Sequence, residues 1–544
     1  MSRMSRPRTG SRLGMSFILG TMGLVACTVG PLAAQEIDVV ELTIEDVQEG
    51  YRTGAFSAVQ LTQAFLDRIA RYEEHYNAFI SLNPAALELA AELDAEYSVS
   101  GPRGPLHGVP IVIKDNIDYG GLVTTAGWEG FSTDAGGIDL VPPDDASVVA
   151  RLREAGAIVL GKTNLPDFAQ DGTRTRSSVA GVTLNPYDVT KAPGGSSGGT
   201  ATAVNASFSV FGLGTETGGS IQNPASAQGL VGFKPTYGLV PLDGVVPLSG
   251  TYVDVVGPLA RTVRDAAIIM DVLAGPTTDD PATFAASGHL PEGGYAGGLD
   301  SVELAGRRFG LVGPGWREDG FPLDPRTERL YRDAIAALEG LGAVVVEDPF
   351  ASSGFVDLYA ERPRVATRAY DMMVYLRGLG DGAAFRSVEE WESITGRTFG
   401  NGLGTREDGT PAPQPVRPSA TEAGDAYQAW RLRLRTLFRA VLAERALDGL
   451  FFPQAGYPNR DLVEDPARPE YSPNNWAEIP SNIVNDLGVP VVTVPYAYYE
   501  DRTPFVVALV GDTWTEAELL GYAHLFERAT RARMPPSLFE KPGN

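Results

Sequence analysis

The chain has 544 residues, of which 43% are hydrophobic and 21% are charged, the composition of a folded globular protein. Its formal net charge of −24 argues against the basic surface by which proteins bind nucleic acid. The single cysteine, Cys27, excludes an internal disulfide and a cysteine-ligated metal site.

Residues 1–34 are predicted to be a secretory signal peptide. Four arginines precede an apolar run over residues 13–26, and the small residues of PLAAQ follow, so cleavage after Ala34 would release residues 35–544. The string LVAC also resembles a bacterial lipoprotein box, in which residues 1–26 are removed and Cys27 carries a lipid. The sequence therefore predicts export to the periplasm or the extracellular medium, with a lipid anchor on the cell envelope as the alternative. No later run is long and apolar enough to span a membrane.

The remaining chain begins with helices and continues as an alternation of strands and helices. Capping-box spacing at Thr43–Asp46 and Ser57–Gln60 predicts two helix starts. Short apolar runs then alternate with amphipathic patterns, which is typical of an α/β sheet covered by helices on both faces. The predicted strands are residues 109–113, 157–160, 208–213, 308–312, 343–346, 449–452, 491–494 and 505–509, and the predicted helices are 146–154, 263–273, 327–341, 427–443 and 516–530.

Two segments interrupt this alternation. Residues 276–299 are rich in Gly, Pro and Asp and predict a surface loop. Residues 351–424 predict a partly helical insertion that ends in a long loop. We expect this insertion and the loop after Phe452 to shape a substrate pocket. Aromatic residues of these segments either line that pocket or pack in the core; they are Tyr359, Tyr370, Tyr375, Trp391, Tyr457 and Trp476.

The string GGSSGG matches the nucleophile-elbow pattern G-x-S-x-G in two registers, centred on Ser196 and Ser197. An α/β-hydrolase triad also needs a histidine after the serine in the chain, and only His289 and His524 satisfy that order. Neither histidine lies at a strand end with an acid nearby. A Ser-His-Asp hydrolase therefore remains an alternative with weak support.

Lys114 lies at the end of the apolar strand in the string VPIVIKDN. Only five of the 44 basic residues are lysines, and a lysine buried at a strand end can be neutral and act as a base, which arginine cannot. An ion pair with Asp115 or with another acid explains the same residue equally well. The local sequence leaves both interpretations open.

The string TETGGS places four consecutive backbone N–H groups, Thr217 to Ser220, beside a serine hydroxyl. Such a turn can stabilise a developing oxyanion. A phosphate-binding loop is the alternative, but the chain lacks both the Walker spacing and a dinucleotide-binding glycine motif.

Long strings of this chain resemble the amidase signature family. The resemblance is carried by LHGVPIVIKDNIDYGGLVTTAG, DDASVVARLREAGAIVLGKTNLPDFA, LNPYDVTKAPGGSSGG, GLGTETGGSIQNPASAQGLVGFKPTYGLVP and VDVVGPLARTVRDAAIIMDVLAG, which span about residues 106–275. It implies a single large α/β domain with a mixed, mostly parallel twisted sheet. It also implies that no metal or organic cofactor is needed.

The resemblance assigns a Ser–Ser–Lys triad to this chain. Lys114 matches the base, Ser196 matches the bridging serine that follows a cis peptide, and Ser220 matches the nucleophile. Ser197 matches a supporting serine. The oxyanion-hole loop matches Thr217, Gly218, Gly219 and Ser220.

The chain departs from the family pattern beside this loop, since Gln222 replaces a common arginine and Glu216 replaces a frequent aspartate. We expect these changes to reshape the support of the loop without removing activity. The sequence thus predicts an exported serine amidohydrolase that cleaves the C–N bond of a small, non-peptide carboxamide, anilide or carbamate through an acyl-enzyme. A non-catalytic binding protein on the same fold is a further alternative, and a monomer and a homodimer are both compatible with the sequence.

Overall fold

The structure, a computed structural model, describes residues 37–318, 321–463 and 478–538. The predicted signal peptide, Cys27 and Trp476 lie outside these described residues. Within them, no helix combines the length and the apolar character that crossing a membrane requires.

The predicted helix starts are present. Thr43 and Ser57 each form a complete capping box, and Asp324 caps a helix that begins at Pro325. The helices are α1 Ile44–Thr53, α2 Ala58–Tyr76, α3 Ala86–Ser100, α4 Ser147–Glu154, α5 Gly198–Asn205, α6 Gln222–Ala227, α7 Val263–Leu273, α8 Gly294–Gly298, α9 Pro325–Gly340, α10 Phe355–Ala360, α11 Arg368–Gly378, α12 Val388–Thr395, α13 Glu422–Arg445, α14 Ser481–Leu487 and α15 Glu516–Thr530.

In the described part of the chain, eleven strands form one sheet, and β4 and β5 form a separate small hairpin. The strand order in the large sheet is β1-β3-β2-β6-β8-β7-β12-β13-β11-β9-β10. The strands are β1 Phe79–Leu82, β2 Pro110–Lys114, β3 Ile158–Thr163, β4 Arg176–Ser177, β5 Gly181–Val182, β6 Phe211–Glu216, β7 Val231–Lys234, β8 Val255–Ala260, β9 Arg308–Leu311, β10 Val344–Val346, β11 Gly449–Pro453, β12 Val491–Tyr498 and β13 Pro504–Val510.

The predicted α/β domain with one large mixed sheet is confirmed, but parallel pairs are not the majority. Four of the ten strand pairs are parallel, namely β3–β2, β2–β6, β11–β9 and β9–β10, and six are antiparallel. Strands β7 and β8, which the sequence analysis did not predict, enter the middle of the sheet antiparallel to their neighbours. A five-residue connection also makes β12 and β13 a hairpin, which is necessarily antiparallel.

The strands that carry the candidate catalytic residues lie inside the protein. Every residue of β2, β3 and β6 is buried, because helices cover both faces of this part of the sheet. Helix α5 begins at Gly198, within GGSSGG, and packs on β6; its two leading glycines do not favour a helix, and the sequence analysis did not predict it. Rigid elements therefore hold both ends of the candidate site.

The segment 351–424 contains α10, α11 and α12. Its helices α11 and α12 pack against an apolar cluster around Trp128, Phe131 and Phe168, here called the Trp128 cluster. Tyr375 and Trp391 are buried in this cluster and therefore serve packing rather than lining an open pocket. The predicted loop at 276–299 contains α8 and a short 3-10 helix over Pro281–Ala286.

Candidate active site

Lys114 ends β2, and its side chain is fully buried. Its Nζ lies 2.7 Å from Ser196 Oγ, 2.9 Å from Ser197 Oγ, 2.9 Å from Thr215 Oγ1 and 3.2 Å from the Thr215 carbonyl oxygen. All four neighbours are neutral oxygens. The amine is thus held among hydroxyl and carbonyl groups at the end of its strand.

The hydrogen bonds around Lys114 leave Ser196 as the group that can give it a proton. A neutral amine has two N–H donors and one lone pair. Ser197 Oγ donates to the Thr215 carbonyl oxygen at 3.2 Å, so this hydroxyl accepts from the lysine. Thr215 Oγ1 already accepts from Asn116 Nδ2 at 3.1 Å and can accept from the lysine as well. The lone pair then faces the Ser196 hydroxyl, which is the nearest of the four oxygens.

Burial also favours the neutral form of this amine. Desolvation lowers the pKa of Lys114 to about 7, and the negative charges of Asp254 and Glu216 oppose the fall. A substantial fraction of the lysine is therefore neutral near pH 7. An amine with a pKa near the working pH is well suited to general-base catalysis.

The two serine segments adjoin one another. The peptide bond between Gly195 and Ser196 is cis, as the resemblance implies. The Ser197 N–H donates to the Ser220 carbonyl oxygen at 3.3 Å, which ties GGSSGG to the turn that carries Ser220. Ser196 is completely buried, whereas Ser220 keeps 7% of its surface exposed. Of the three triad candidates, Ser220 is the one that solvent reaches.

The turn before Ser220 has the form of an oxyanion hole. Gly219 has φ +110°, a conformation that glycine adopts readily, and a Cβ there would lie 2.6 Å from Asn223 Nδ2. Among the described residues, no hydrogen bond uses the N–H group of Gly219 or Ser220. These two donors are therefore available to a ligand. Thr217 Oγ1 donates to Asp254 Oδ1 at 2.6 Å and anchors the start of the turn.

Gln222 and Glu216, the two residues that depart from the family pattern, contact each other. Gln222 Nε2 donates to Glu216 Oε1 at 2.5 Å. The other oxygen, Glu216 Oε2, accepts from the backbone N–H groups of Ile221 at 2.8 Å and Gln222 at 3.1 Å. Glu216 thus fixes the backbone on the far side of Ser220. The pair therefore supports the turn that carries Ser220.

Asp115 is not the partner of Lys114. It forms a buried ion pair with Lys162, with 3.0 Å between Lys162 Nζ and Asp115 Oδ1. The register explains the choice, because Lys162 of β3 lies opposite Ile113 of β2 while Lys114 lies opposite Thr163. Neighbouring residues of a strand point to opposite faces, so Lys162 lies on the face of Ile113 and away from Lys114. The ion-pair interpretation of Lys114 is therefore wrong.

Replacing Lys162 by Met is expected to lower the free energy of unfolding by about 3–5 kcal/mol, because it leaves the Asp115 carboxylate buried without its cation. Urea unfolding measures this change. The matched control is Arg332→Met, which breaks an exposed pair with Glu328 and should cost no more than about 0.5 kcal/mol. Equal losses in the two variants would contradict this account of the buried pair.

Three residues of the site were not singled out from the sequence. Thr215 contacts Lys114, Asn116 holds the Thr215 hydroxyl, and Asp254 holds Thr217. Thr215 and Asn116 lie inside the strings TETGGS and KDN, so their position was a usable signal. Asp254 lies in the separate string VDVVGPLA, far from both in the chain, and only the fold brings it to the turn.

The two histidines that a Ser-His-Asp triad would require, His289 and His524, contact other residues. His289 stacks on Trp514, with 4.6 Å between ring centroids. His524 is buried, with Asp300 and Glu527 each 3.9 Å away. Neither has a described contact with Ser196 or Ser197. The geometry therefore gives the Ser-His-Asp alternative no support.

A cavity adjoins the serine segments. Its wall includes Gly194, just before the cis peptide, and Asn223, three residues after Ser220. As expected, the loop after Phe452 contributes to this wall, through Gln454 and Tyr457. The insertion instead contributes Tyr359 to a second cavity, whose wall also includes Asn482, the side chain that packs against Gly218.

Comparisons with known proteins agree with this geometry. The family model described as Amidase matches residues 60–520. A glutamyl-tRNA(Gln) amidotransferase subunit from Symbiobacterium thermophilum is 35% identical over 510 residues, which cover 91% of this chain and 98% of that relative.

Solved structures give the same result. Native peptide amidase from Stenotrophomonas maltophilia superposes with a TM-score of 0.71 at 33% identity, covering 92% of this chain and 99% of that one. The corresponding glutamyl-tRNA(Gln) amidotransferase subunit from Thermotoga maritima superposes with a TM-score of 0.65 at 26% identity, covering 92% and 99%. The chain therefore belongs to the amidase signature family of enzymes that act on C–N bonds.

Proposed function

We propose that this protein is a serine amidohydrolase in which Ser220 is the nucleophile, Ser196 carries the proton and Lys114 is the base. The observation that carries the proposal is the buried Lys114 amine, 2.7 Å from Ser196 Oγ and surrounded by neutral oxygens. The other buried lysine of this part of the sheet, Lys162, pairs instead with the Asp115 carboxylate. The substrate is a small-molecule carboxamide, anilide or carbamate.

In the acylation step, neutral Lys114 accepts the proton of Ser196 Oγ, and Ser196 accepts the proton of Ser220 Oγ. Ser220 Oγ then forms a bond to the carbonyl carbon of the substrate, and the negative oxygen that results is held by the N–H groups of Gly219 and Ser220. Collapse of this intermediate breaks the C–N bond, while the proton returns through Ser196 to the leaving nitrogen. The product of this half-reaction is an ester between the substrate's acyl group and Ser220.

Deacylation repeats these steps with water as the nucleophile. Water loses its proton through Ser196 to Lys114 and attacks the ester carbonyl. The carboxylic acid leaves and Ser220 regains its proton. Esters are expected as side substrates, because they enter the same acyl-enzyme route.

The relatives include amidotransferases and a peptide amidase, and two features favour hydrolysis by this chain. The N-terminal sequence predicts export, so we propose a periplasmic or extracellular enzyme, and Cys27 is a candidate lipid anchor. A tRNA substrate would not be available there, and a net charge of −24 is unfavourable for binding RNA. Mass spectrometry of the mature N-terminus distinguishes cleavage after Ala34 from lipidation at Cys27.

The proposed function is tested with a panel of short and long aliphatic amides, anilides, carbamates and esters on the mature chain. Amides are expected to release ammonia or amine, and hydroxylamine is expected to intercept the acyl-enzyme as a hydroxamate. Replacing both His289 and His524 should leave these rates within about threefold of wild type, because neither histidine takes part. Complete loss of hydrolysis in that double variant, with the fold retained, would favour the Ser-His-Asp alternative.

A further inference from the structure

A short loop connects the oxyanion turn to helix α11 of the insertion. The turn begins at Thr217, directly after β6, and Asp254 directly precedes β8. Glu216 pairs with Val255 at this end of the two antiparallel strands, so the register of the sheet brings Asp254 to the start of the turn. Thr217 Oγ1 donates to Asp254 Oδ1 at 2.6 Å. The position of the turn therefore depends on Asp254.

Asp254 is itself fixed by residues 248–254, here called the 248–254 loop. Its Oδ2 accepts from the backbone N–H groups of Leu248 at 2.9 Å and Ser249 at 2.8 Å. The Ser249 carbonyl oxygen in turn accepts from the Asp254 N–H at 3.3 Å. One carboxylate oxygen thus holds the loop while the other holds Thr217. A displacement of the loop would therefore move the Thr217 hydroxyl as well.

Helix α11 holds the other side of the 248–254 loop through two side-chain contacts. Thr251 Oγ1 donates to Asp371 Oδ1, and the hydroxyl oxygens of Ser249 and Thr367 lie 3.1 Å apart. Thr367 directly precedes α11, and its carbonyl oxygen accepts from the Asp371 N–H at 2.9 Å. Asp371 and Thr367 are both buried, so water competes little for these contacts.

Helix α11 is anchored on a further side, away from the 248–254 loop. Met372 is buried in the Trp128 cluster, and the Tyr375 hydroxyl donates to Asp118 Oδ1 at 3.0 Å. A side chain on a packed helix is held more precisely than one on a loop. The insertion therefore supplies a rigid support for the 248–254 loop.

From these contacts we infer that Asp371 is a positioning residue for the oxyanion hole, acting through the 248–254 loop, Asp254 and Thr217. The N–H groups of the turn must aim at the developing oxyanion, and a misplacement of about 1 Å can slow an enzyme about 100-fold. Asp371 has no described contact with the triad, so its effect is expected in kcat rather than in KM. The inference rests on the proposed function and assigns part of its catalysis to the insertion.

The first test measures kcat and KM of Asp371→Ala for an amide that the wild type hydrolyses. The kcat value is expected to fall about 10- to 100-fold while KM changes less than about threefold. Asp371→Asn keeps an oxygen acceptor for Thr251 and should retain kcat within about threefold of wild type. The matched control Asp381→Asn breaks an exposed ion pair with Arg386 on the same insertion and should leave both constants unchanged.

A double-mutant cycle separates positioning from a general loss of structure. Thr217→Val removes the hydroxyl that donates to Asp254, so in this background Asp371→Ala should lower kcat by no more than about threefold. A trifluoromethyl ketone forms a tetrahedral adduct with its oxyanion in the hole. Its inhibition constant should therefore rise in Asp371→Ala by about the factor by which kcat falls.

Thr251→Val removes the other partner of the same hydrogen bond and should reproduce the fall in kcat if Asp371→Ala does not fold. Unchanged kcat in the folded variants would overturn the inference and leave the amidase function intact. Full additivity of Asp371→Ala with Thr217→Val would also overturn it, and so would a rise in KM at constant kcat. Failure of the wild type to hydrolyse any amide would instead overturn the proposed function.

Discussion

Replacing Ser220 by Ala is expected to reduce kcat for amide hydrolysis by about 10⁵-fold, because the residue supplies the oxygen that forms the acyl-enzyme. Labelling by a serine-reactive phosphonate should disappear in the same variant. Substrate binding should persist, since the walls of the cavity are unchanged. Steady-state kinetics and intact-protein mass spectrometry measure both effects.

Variants of other serines test whether Ser220, and not a neighbouring serine, is the nucleophile. Ser98→Ala changes an exposed serine on α3 and should leave both kcat and labelling unchanged. Ser197→Ala removes a partner of Lys114 and should slow the reaction while phosphonate labelling continues. Undiminished labelling of Ser220→Ala would show that another residue is the nucleophile.

Replacing Lys114 by Met is expected to reduce kcat/KM by about 10³-fold or more, because no other base lies within hydrogen-bonding distance of Ser196 among the described residues. Lys114→Arg should be equally inactive, since a guanidinium stays protonated and cannot accept a proton. If Lys114→Arg retained substantial activity, Lys114 would be a positive charge in the mechanism rather than its base. Circular dichroism and thermal unfolding of both variants verify that the fold survives.

The pH dependence follows from the same lysine. With a pKa of about 7, Lys114 is mostly neutral above pH 7 and mostly protonated below it. The kcat/KM value should therefore fall about tenfold per pH unit below 7 and level off above about pH 8. The residual activity of Lys114→Met should lack this decline. A flat wild-type profile between pH 5 and 9 would contradict the role of Lys114 as base.

Beside the turn, Gln222 and Glu216 occupy positions where the family pattern commonly has Arg and Asp. The resemblance identified both positions as departures, and the structure shows that they form one hydrogen-bonded unit. The longer carboxylate of Glu216 also accepts two backbone N–H groups beyond Ser220. The Gln222 amide is neutral and does not compensate the negative charge of Glu216. That charge raises the pKa of the Lys114 amine.

Short strings of the sequence were enough to predict the family and the residues of the candidate site. Lys114, Ser196 and Ser220 lie in short motifs whose function depends on the local backbone conformation. Such motifs can be identified in the sequence without knowing the fold. The capped helices α1, α2 and α9 were predictable for the same reason. Strands β7 and β8 were missed because they lie in glycine- and proline-rich stretches without an extended apolar run.

The sequence by itself therefore determined which groups make up the candidate site: two serines, one lysine and a glycine turn. The tertiary structure decided what each of these groups contacts. Lys114 and Asp115 are neighbours in the chain, and the sequence left open whether they pair. The register of β2 against β3 places Lys162 beside Asp115 on one face of the sheet and leaves Lys114 on the other, facing Ser196. Strand register depends on contacts between distant segments, and this is why only the folded chain decides that Lys114 is free to act as a base.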